Sequence, residues 1–208
     1  MFKVYGRANS INVRKVLWMA AELGLPFDRE DWGRGYRPTS DAAYKALNPF
    51  GVVPTVDDDG YVLRESNAIV RYLAVKHGRD DLYPQTDLKT RFAIEAWMDW
   101  SSGDLYDPMR AVVHGLVFKT PGTTEPELIS KGAAAWAVKM QMLEDHLAAG
   151  GPYLMGDAFT IADIPVGLGV NRWFAIDFEK PHLPATAAYY DKLAERESYR
   201  LYGRNGTP

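Results

Sequence analysis

The sequence predicts an α/β domain followed by an all-helical domain. Apolar and polar residues alternate at the N-terminus and again after Pro54, a pattern typical of short strands. Apolar residues at helical spacing lie between these segments. In the second half of the chain, helical spacing is the only regular pattern. A polar, turn-rich segment at residues 79–87 separates the mixed strand and helix pattern from the purely helical one. We therefore expect domains at residues 1–78 and 88–208, joined by a linker at 79–87.

The elements of the first half follow in a definite order. Alternation at Phe2–Tyr5 predicts a strand, and apolar residues at helical spacing predict a helix that Gly24 and Pro26 end. A short strand around residues 27–32, an irregular helical segment to Leu47 and a strand after Pro54 come next. A turn at 58–60, a strand at 61–64 and a helix from residue 66 complete the half. This is the order of a thioredoxin-like domain.

Two apolar stripes indicate helices in the second half, and both are interpreted as core-facing. The first stripe comprises Phe92, Ala96, Trp97 and Trp100, and the second comprises Trp136, Met140, Leu143 and Leu147. A later helix start is marked by a capping box, in which Thr160 caps an amide and Asp163 reaches back to the Thr160 amide. Pro165 follows, and we expect it to kink this helix or make its first turn irregular.

Composition limits the function classes. The 208 residues carry a net charge of -3, with 47% hydrophobic residues and a pI near 5.8. This balance favours neither nucleic-acid nor membrane binding, and a cytoplasmic location is expected. The absence of cysteine excludes disulfides and thiolate chemistry by the protein itself. The four histidines lack the spacing of metal ligands, so no metal is predicted.

Residues 48–72 contain the most informative motif. Val53-Pro54 gives a strand entry, and a cis bond there would turn the backbone groups of Val53 outward, towards a peptide ligand. Ser66 opens a helix whose unpaired amides and dipole favour an anion, and Glu65 beside it suits an ammonium group. Together, Ser66 and Glu65 would bind both the carboxylate and the ammonium group of one amino acid. Each element alone is common in proteins without ligands, so the order and spacing carry the argument.

Three motifs in this order resemble the cytosolic glutathione transferases. They are residues 48–72, the segment Arg7-Ala-Asn-Ser10-Ile-Asn-Val-Arg14-Lys15, and Phe159-Thr160-Ile-Ala-Asp163-Ile164. The N-terminal segment is similar to the serine-type active site of theta-like and bacterial members, with Ser10 in the activating position. The resemblance implies glutathione as co-substrate, an all-helical second domain and a homodimer. The lack of cysteine excludes the cysteine-type branches.

Ser10 is the candidate catalytic residue. A thiol with a pKa of about 8.5 is only a few per cent ionised at pH 7, so the enzyme must favour the thiolate. A hydroxyl at the strand-to-helix corner, together with the amides that follow it, supplies that preference. Two alternatives stand: Ser10 is simply the N-cap of the first helix, or the Tyr5 phenol donates to the thiolate instead.

The resemblance also implies the glutathione contacts. Val53 and Pro54 would hold the cysteinyl part, and Glu65 and Ser66 the γ-glutamyl end, with Asn12 and Arg37 completing the candidate set. Val52 stands where the family often has a polar side chain for the glycine carboxylate. That contact would then fall to Arg34, Arg37 or Lys45, each of which is also a plausible surface charge.

The electrophile is expected to lie against the helical half. The candidate residues are Tyr106, Met109, Arg110, Val113 and Trp173. Core packing explains Met109, Val113 and Trp173 equally well, whereas Arg110 could orient an anionic or nitro-bearing substrate. The sequence thus predicts a glutathione S-transferase acting on a hydrophobic electrophile. A glutathione-dependent isomerase, dehalogenase or ether-cleaving relative, or a non-catalytic binding module of the same fold, are the alternatives.

Overall fold

A four-stranded mixed sheet organises the first part of the chain. The computed structural model describes residues 1–208. They form two compact units, Met1–Gln85 and Thr86–Pro208. The first unit contains β1 (Phe2–Tyr5), α1 (Ile11–Glu22), β2 (Asp28–Glu30), α2 (Ala42–Leu47), β3 (Thr55–Asp58), β4 (Tyr61–Arg64) and α3 (Ser66–Lys76). The strands are ordered β2-β1-β3-β4. Strand β1 is parallel to β2, and β3 is antiparallel to both β1 and β4. The predicted thioredoxin-like fold is confirmed.

Alternation in β1 has the expected physical basis. Phe2 and Val4 are buried, whereas Lys3 and Tyr5 on the other face are half-buried. Helices α1 and α3 contact each other, and their buried side chains supply the core. The core residues include Val13, Val16, Leu17, Ile69, Val70 and Leu73.

The β3–β4 hairpin is set by its turn residues. Asp58 pairs with Tyr61, so the connection has only two residues, Asp59 and Gly60. Both have positive φ, 52° and 93°, as a type I′ turn requires. The Asp57 carboxylate accepts a hydrogen bond from the Gly60 amide at 2.7 Å. The turn is where the sequence predicted it, because the requirement for positive φ is local.

The second unit consists of helices, as the sequence predicted. They are α4 (Leu88–Ser102), α5 (Tyr106–Val112), a π-helical turn (Val113–Val117), α6 (Pro126–Gly150), α7 (Asp163–Ala175), α8 (Pro184–Ala194) and α9 (Glu197–Tyr202). No helix combines the length and apolar character needed to cross a membrane.

Only one of the two predicted stripes faces the core. The α6 stripe is buried throughout, and Trp136 meets Trp173 edge to face with ring centroids 5.0 Å apart. The α4 stripe was assigned to the wrong face. Phe92 is 60% exposed, and the buried residues of α4 are Ile94, Met98 and Ser101. Helix α4 carries apolar residues on two sides. The sequence spacing predicted that the more aromatic side is buried, whereas the other side is.

A buried carboxylate, Asp163, organises the start of α7. Its Oδ2 accepts hydrogen bonds from the Thr160 amide at 2.8 Å and the Thr160 hydroxyl at 3.3 Å. Its Oδ1 accepts from the Leu154 amide and the Tyr189 hydroxyl, both at 3.1 Å. The predicted hydrogen bond between the Asp163 carboxylate and the Thr160 amide is therefore present. The Thr160 hydroxyl, which was expected to cap an amide, donates to that carboxylate instead.

The expected disturbance by Pro165 does not occur within α7. The helix begins at Asp163, which places Pro165 in the first turn. Amides of the first turn have no intrahelical acceptor, so a residue without an N–H costs no hydrogen bond there.

Asp163 should give the unfolding free energy a distinctive pH dependence. Burial raises its pKa from 3.8 to about 6, although the hydrogen bonds from Thr160, Leu154 and Tyr189 lower it. The folded state therefore binds this proton more tightly than the unfolded state, and the contribution of the group to stability falls as pH rises from about 4 to 6.

We expect the stability difference between the wild type and Asp163→Asn to be about 2 kcal/mol larger at pH 4.5 than at pH 7.5. Urea unfolding of both proteins at the two pH values measures it. A difference that instead grows towards pH 7.5 would show that the ionised form is the one favoured by folding.

Candidate functional site

Strand pairing brings three connecting segments to one end of the sheet. Tyr5 at the end of β1 pairs with Thr55 at the start of β3, and Thr55 pairs with Arg64 at the end of β4. The loop that leads to Ser10 follows the first of these residues, Val53-Pro54 precedes the second, and Glu65 follows the third. The candidate residues of the first unit are therefore neighbours because of register, although they are far apart in sequence.

Ser10 occupies the N-cap position of α1. Its amide donates to the Arg7 carbonyl at 3.1 Å, and its carbonyl accepts from the Arg14 amide at 2.9 Å. The side chain is 6% exposed, and its hydroxyl makes no hydrogen bond with the protein. Ser10 thus caps through its backbone alone. The hydroxyl, which usually serves an N-cap by accepting from the helix, is uncommitted here.

Tyr5, the alternative activating residue, lies on the face of the sheet that carries Lys3. The Lys3 ammonium is 4.8 Å from the centroid of the Tyr5 ring and forms an ion pair with Glu30 at 2.9 Å. The Tyr5 phenol is engaged with the Lys3 ammonium, whereas the Ser10 hydroxyl has no partner in the protein.

Val53 presents an unpaired backbone. The Val53–Pro54 peptide bond is cis, and neither the amide nor the carbonyl of Val53 takes part in a hydrogen bond within the protein. Pro54 is buried and Val53 half-buried. An extended peptide could pair with this free donor and acceptor in the manner of an added strand.

A buried polar network holds the turn before Val53. The Val52 carbonyl accepts from the Tyr44 hydroxyl at 2.7 Å and from the Asn48 side-chain amide at 2.9 Å. Both side chains also contact the Thr55 hydroxyl, at 3.0 and 3.1 Å. Burial raises the pKa of Tyr44, although the hydrogen bonds to Thr55 and Asn48 lower it. The sequence analysis did not assign Tyr44 or Thr55 to the site, because their hydrogen bonds depend on the folded turn.

Glu65 and Ser66 form the start of α3. Glu65 has φ 64° and ψ 110°, which is rare for a residue with a side chain. Its carboxylate is exposed and makes no hydrogen bond or ion pair. Ser66 is 6% exposed, and its hydroxyl makes no hydrogen bond. A free anion and a free donor therefore stand side by side at the positive end of the helix dipole.

The remaining glutathione candidates differ in how far they are already engaged. Arg37 ion-pairs with Glu30, and its guanidinium lies 3.9 Å from the Trp32 ring centroid. Asn12 is half-buried on α1 without a hydrogen-bond partner. Arg34 and Lys45 are exposed, and Lys45 has no ion-pair partner. Of the three cations considered for a carboxylate, Lys45 is thus uncommitted.

Core packing accounts for three of the five electrophile candidates. Met109, Val113 and Trp173 are at most 2% exposed. Trp173 meets Trp136 and Phe178 edge to face, at 5.0 and 5.2 Å between ring centroids. These side chains are buried in the core of the second unit, as the core-packing alternative expects. Tyr106 is half-buried and Arg110 is exposed without an ion-pair partner, so these two are available.

The fold and this site together define a class of protein. A thioredoxin-like unit offers a free backbone donor and acceptor, a free carboxylate and two free serine hydroxyls at one end of its sheet. Such a set is complementary to a short peptide that carries an ammonium group, an amide backbone and an anionic group.

Comparisons with known proteins agree with that class. The family model of the glutathione S-transferase N-terminal domain matches residues 9–76. Glutathione S-transferase GstB of Escherichia coli K12 is 33% identical over 202 residues, 96% of each chain. Glutathione S-transferase 3 of Zea mays is 34% identical over 167 residues, 77% of this chain and 73% of that one.

Solved structures give the same result. The theta-class glutathione S-transferase of Xanthomonas axonopodis pv. citri, determined with glutathione bound, superposes with a TM-score of 0.90 and 37% identity. The match covers 97% of this chain and 96% of that one. The chain belongs to the glutathione S-transferase family. The resemblance found in its motifs is confirmed, and the protein is a glutathione transferase.

The network around Asn48 should be essential to the stability of the first unit. Asn48→Ala removes the bonds to Val52 and Thr55 and leaves the Phe50 amide without its acceptor, 3.0 Å away in the wild type. We expect the free energy of unfolding to fall by about 2–3 kcal/mol. The matched control is Asn12→Ala, which removes an amide without a partner and should change stability by less than about 0.5 kcal/mol. Equal losses in denaturant titrations of both variants would contradict the role of the network.

Proposed function

We propose that Ser10 activates the thiol of glutathione for attack on a hydrophobic electrophile. The observation that carries this proposal is the uncommitted Ser10 hydroxyl at the start of α1, at the same end of the sheet as the unpaired backbone of Val53. A hydroxyl that caps its helix would be occupied, whereas this one is available as a donor to an anion. The Xanthomonas axonopodis relative was solved with glutathione bound, and the same ligand fits the groups described here.

The energy required is within reach of the site. Lowering the pKa of a thiol by about 2 units takes about 2.7 kcal/mol. A hydrogen bond to a charged group supplies about 1.5–3 kcal/mol, and a helix N-terminus supplies up to about 2 kcal/mol. The thiol proton passes to solvent. The thiolate then attacks the electrophilic carbon, and the leaving group departs with its bonding electrons.

Glutathione would be held along its whole length by groups of the first unit. Val53 pairs with the cysteinyl backbone, and Glu65 and Ser66 bind the ammonium and carboxylate of the γ-glutamyl end. For the glycine carboxylate we favour Lys45, because Arg37 would first have to break its ion pair with Glu30. A Cβ added to Gly51, in the turn just before Val53, would lie 3.7 Å from the Lys45 Cε. Asn12 is retained as a further donor.

The second unit would supply the electrophile contacts through Tyr106 and Arg110. Arg110 carries a charge without a partner and suits an anionic or nitro-bearing substrate. Conjugation of hydrophobic electrophiles implies a role in detoxification, and we place the enzyme in the cytoplasm.

We also propose a homodimer. Leu88 and Phe92 are 57% and 60% exposed on α4. Large apolar side chains exposed together mark protein interfaces more often than isolated ones do.

Replacing Ser10 should separate the two candidates for activation. We expect Ser10→Ala to raise the pKa of the bound thiol by about 1–2 units and to lower kcat/KM roughly ten- to hundredfold, because one charge-assisted hydrogen bond is lost. Tyr5→Phe should leave both nearly unchanged. Ultraviolet titration of the thiolate on the purified protein gives the pKa, and conjugation assays give the rates.

The opposite pattern, with Tyr5→Phe inactive and Ser10→Ala active, would assign activation to Tyr5. Binding of glutathione to the wild type without any lowering of the thiol pKa would favour a carrier instead of an enzyme.

The α4 surface can be tested through the oligomeric state. Phe92→Glu places a charge on the exposed apolar surface of α4, and we expect the dimer to dissociate at micromolar concentration because the charge would be desolvated in the interface. Sedimentation velocity of the wild type and the variant measures this. Val138→Glu is the control, since Val138 is 61% exposed on α6. A monomeric wild type would refute the dimer, and a dimeric Phe92→Glu would move the interface elsewhere.

A further inference from the structure

Arg7 is a half-buried cation without a counter-ion. Some arginines of the first unit pair with carboxylates, as Arg29 does with Asp31 and Arg79 with Asp81, and Arg64 donates to the Leu47 carbonyl. No carboxylate lies within ion-pair distance of Arg7. Its only hydrogen-bond acceptor is the Asn9 side-chain oxygen at 2.8 Å, and its Nε is buried with no acceptor at all. Burying a charged group without a partner costs free energy, so this arrangement needs an explanation.

The surroundings of Arg7 increase that cost. Burial lowers the pKa of its guanidinium, and the charge of Arg34 lowers it further, while Tyr36 acts in the opposite direction. Two cations are thus held near each other where one of them is already poorly solvated. Like charges are brought together in this way when an anion is to be bound between or beside them.

The position of Arg7 indicates which anion this is. Its carbonyl accepts the Ser10 amide, so the two residues share one loop. On the other side, a Cβ added to Gly33 would lie 3.6 Å from the Arg7 Nε and 3.7 Å from the Val53 methyl groups. The Arg7 and Val53 side chains therefore both reach the open side of Gly33. Arg7 thus adjoins Ser10 through its backbone, and its guanidinium and the Val53 side chain border the same space at Gly33.

We propose that Arg7 stabilises the glutathione thiolate by its charge, in addition to the hydrogen bond from Ser10. This inference rests on the proposed function and extends it. An arginine remains protonated throughout the working pH range, so it provides a fixed positive charge and takes no proton from the thiol. Gly33 allows the approach, because a side chain there would fill the space beside the Nε.

Two neutral variants and one charged variant test the role of Arg7. Arg7→Gln and Arg7→Met remove the charge, and the methionine retains an apolar cover should the glutamine variant not fold. Arg7→Lys keeps the charge. The control is Arg79→Gln, which breaks the ion pair with Asp81 in the same unit. Ultraviolet titration gives the pKa of the bound thiol, and calorimetry gives the Kd of glutathione and of S-methylglutathione, which has both carboxylates but no ionisable thiol.

We expect the neutral variants to raise the pKa of the bound thiol by about one unit, with the lysine variant in between and the control unchanged. The Kd of S-methylglutathione should stay within about twofold in every variant. A thiol pKa that is unchanged in both neutral variants would overturn the proposal. So would an equal loss of affinity for both ligands, which would identify Arg7 as a carboxylate anchor.

The wild type separates this inference from the function on which it rests. If the wild-type protein lowers the thiol pKa and the neutral variants do so equally well, only the role of Arg7 fails. If the wild type does not lower it, the proposed function fails first.

Discussion

The pairing of β1, β3 and β4 is the constraint on which the site depends. Side chains alternate between the two faces along a strand, so a shift of one residue would move every side chain to the opposite face of the sheet. The register aligns Tyr5, Thr55 and Arg64 in one row. Each of the three candidate segments is attached directly to a member of that row. The backbone hydrogen bonds of the sheet therefore fix the distances between groups that no local sequence feature brings together.

Several polar groups at this end of the sheet lack hydrogen-bond partners within the protein. Some buried polar groups are held by several hydrogen bonds, as at Asp163 with its four and at Glu144, which accepts from the Ala185 and Thr186 amides at 2.9 and 2.7 Å. The hydroxyls of Ser10 and Ser66 and the backbone of Val53 have no such partners. Because the three segments that carry them meet at one end of the sheet, these groups are available together to one ligand.

Local physical rules explain what could be predicted from the sequence. The Asp59-Gly60 turn, the Asp163 return bond and the buried α6 stripe each depend on residues close together in sequence. The motif at Val53-Pro54 and Glu65-Ser66 was recognisable for the same reason. The serine at residue 10 was identified by its motif, although its free hydroxyl was visible only in the structure.

Sequence reasoning failed where tertiary contacts decide. The apolar residues of α4 lie on two sides of the helix, and only the packed unit shows that Ile94 and Met98 face inwards. Met109, Val113 and Trp173 have the composition of a ligand site and the burial of a core. Arg7 was part of a quoted motif, but its lack of a counter-ion is a property of the space around it. Tyr44 and Thr55 meet only after the turn has formed.

Gly6 shows how narrow the tolerance of this arrangement is. A Cβ at that position would lie 2.5 Å from a Val13 methyl group and 3.1 Å from the Val53 Cβ. The missing side chain thus sets the spacing between the helix that carries Ser10 and the turn that carries Val53. Even a single methyl group there would push α1 away from the turn, and so the Ser10 hydroxyl away from the Val53 amide. The approach of α1 to the Val53 turn therefore depends on a residue that offers no functional group of its own.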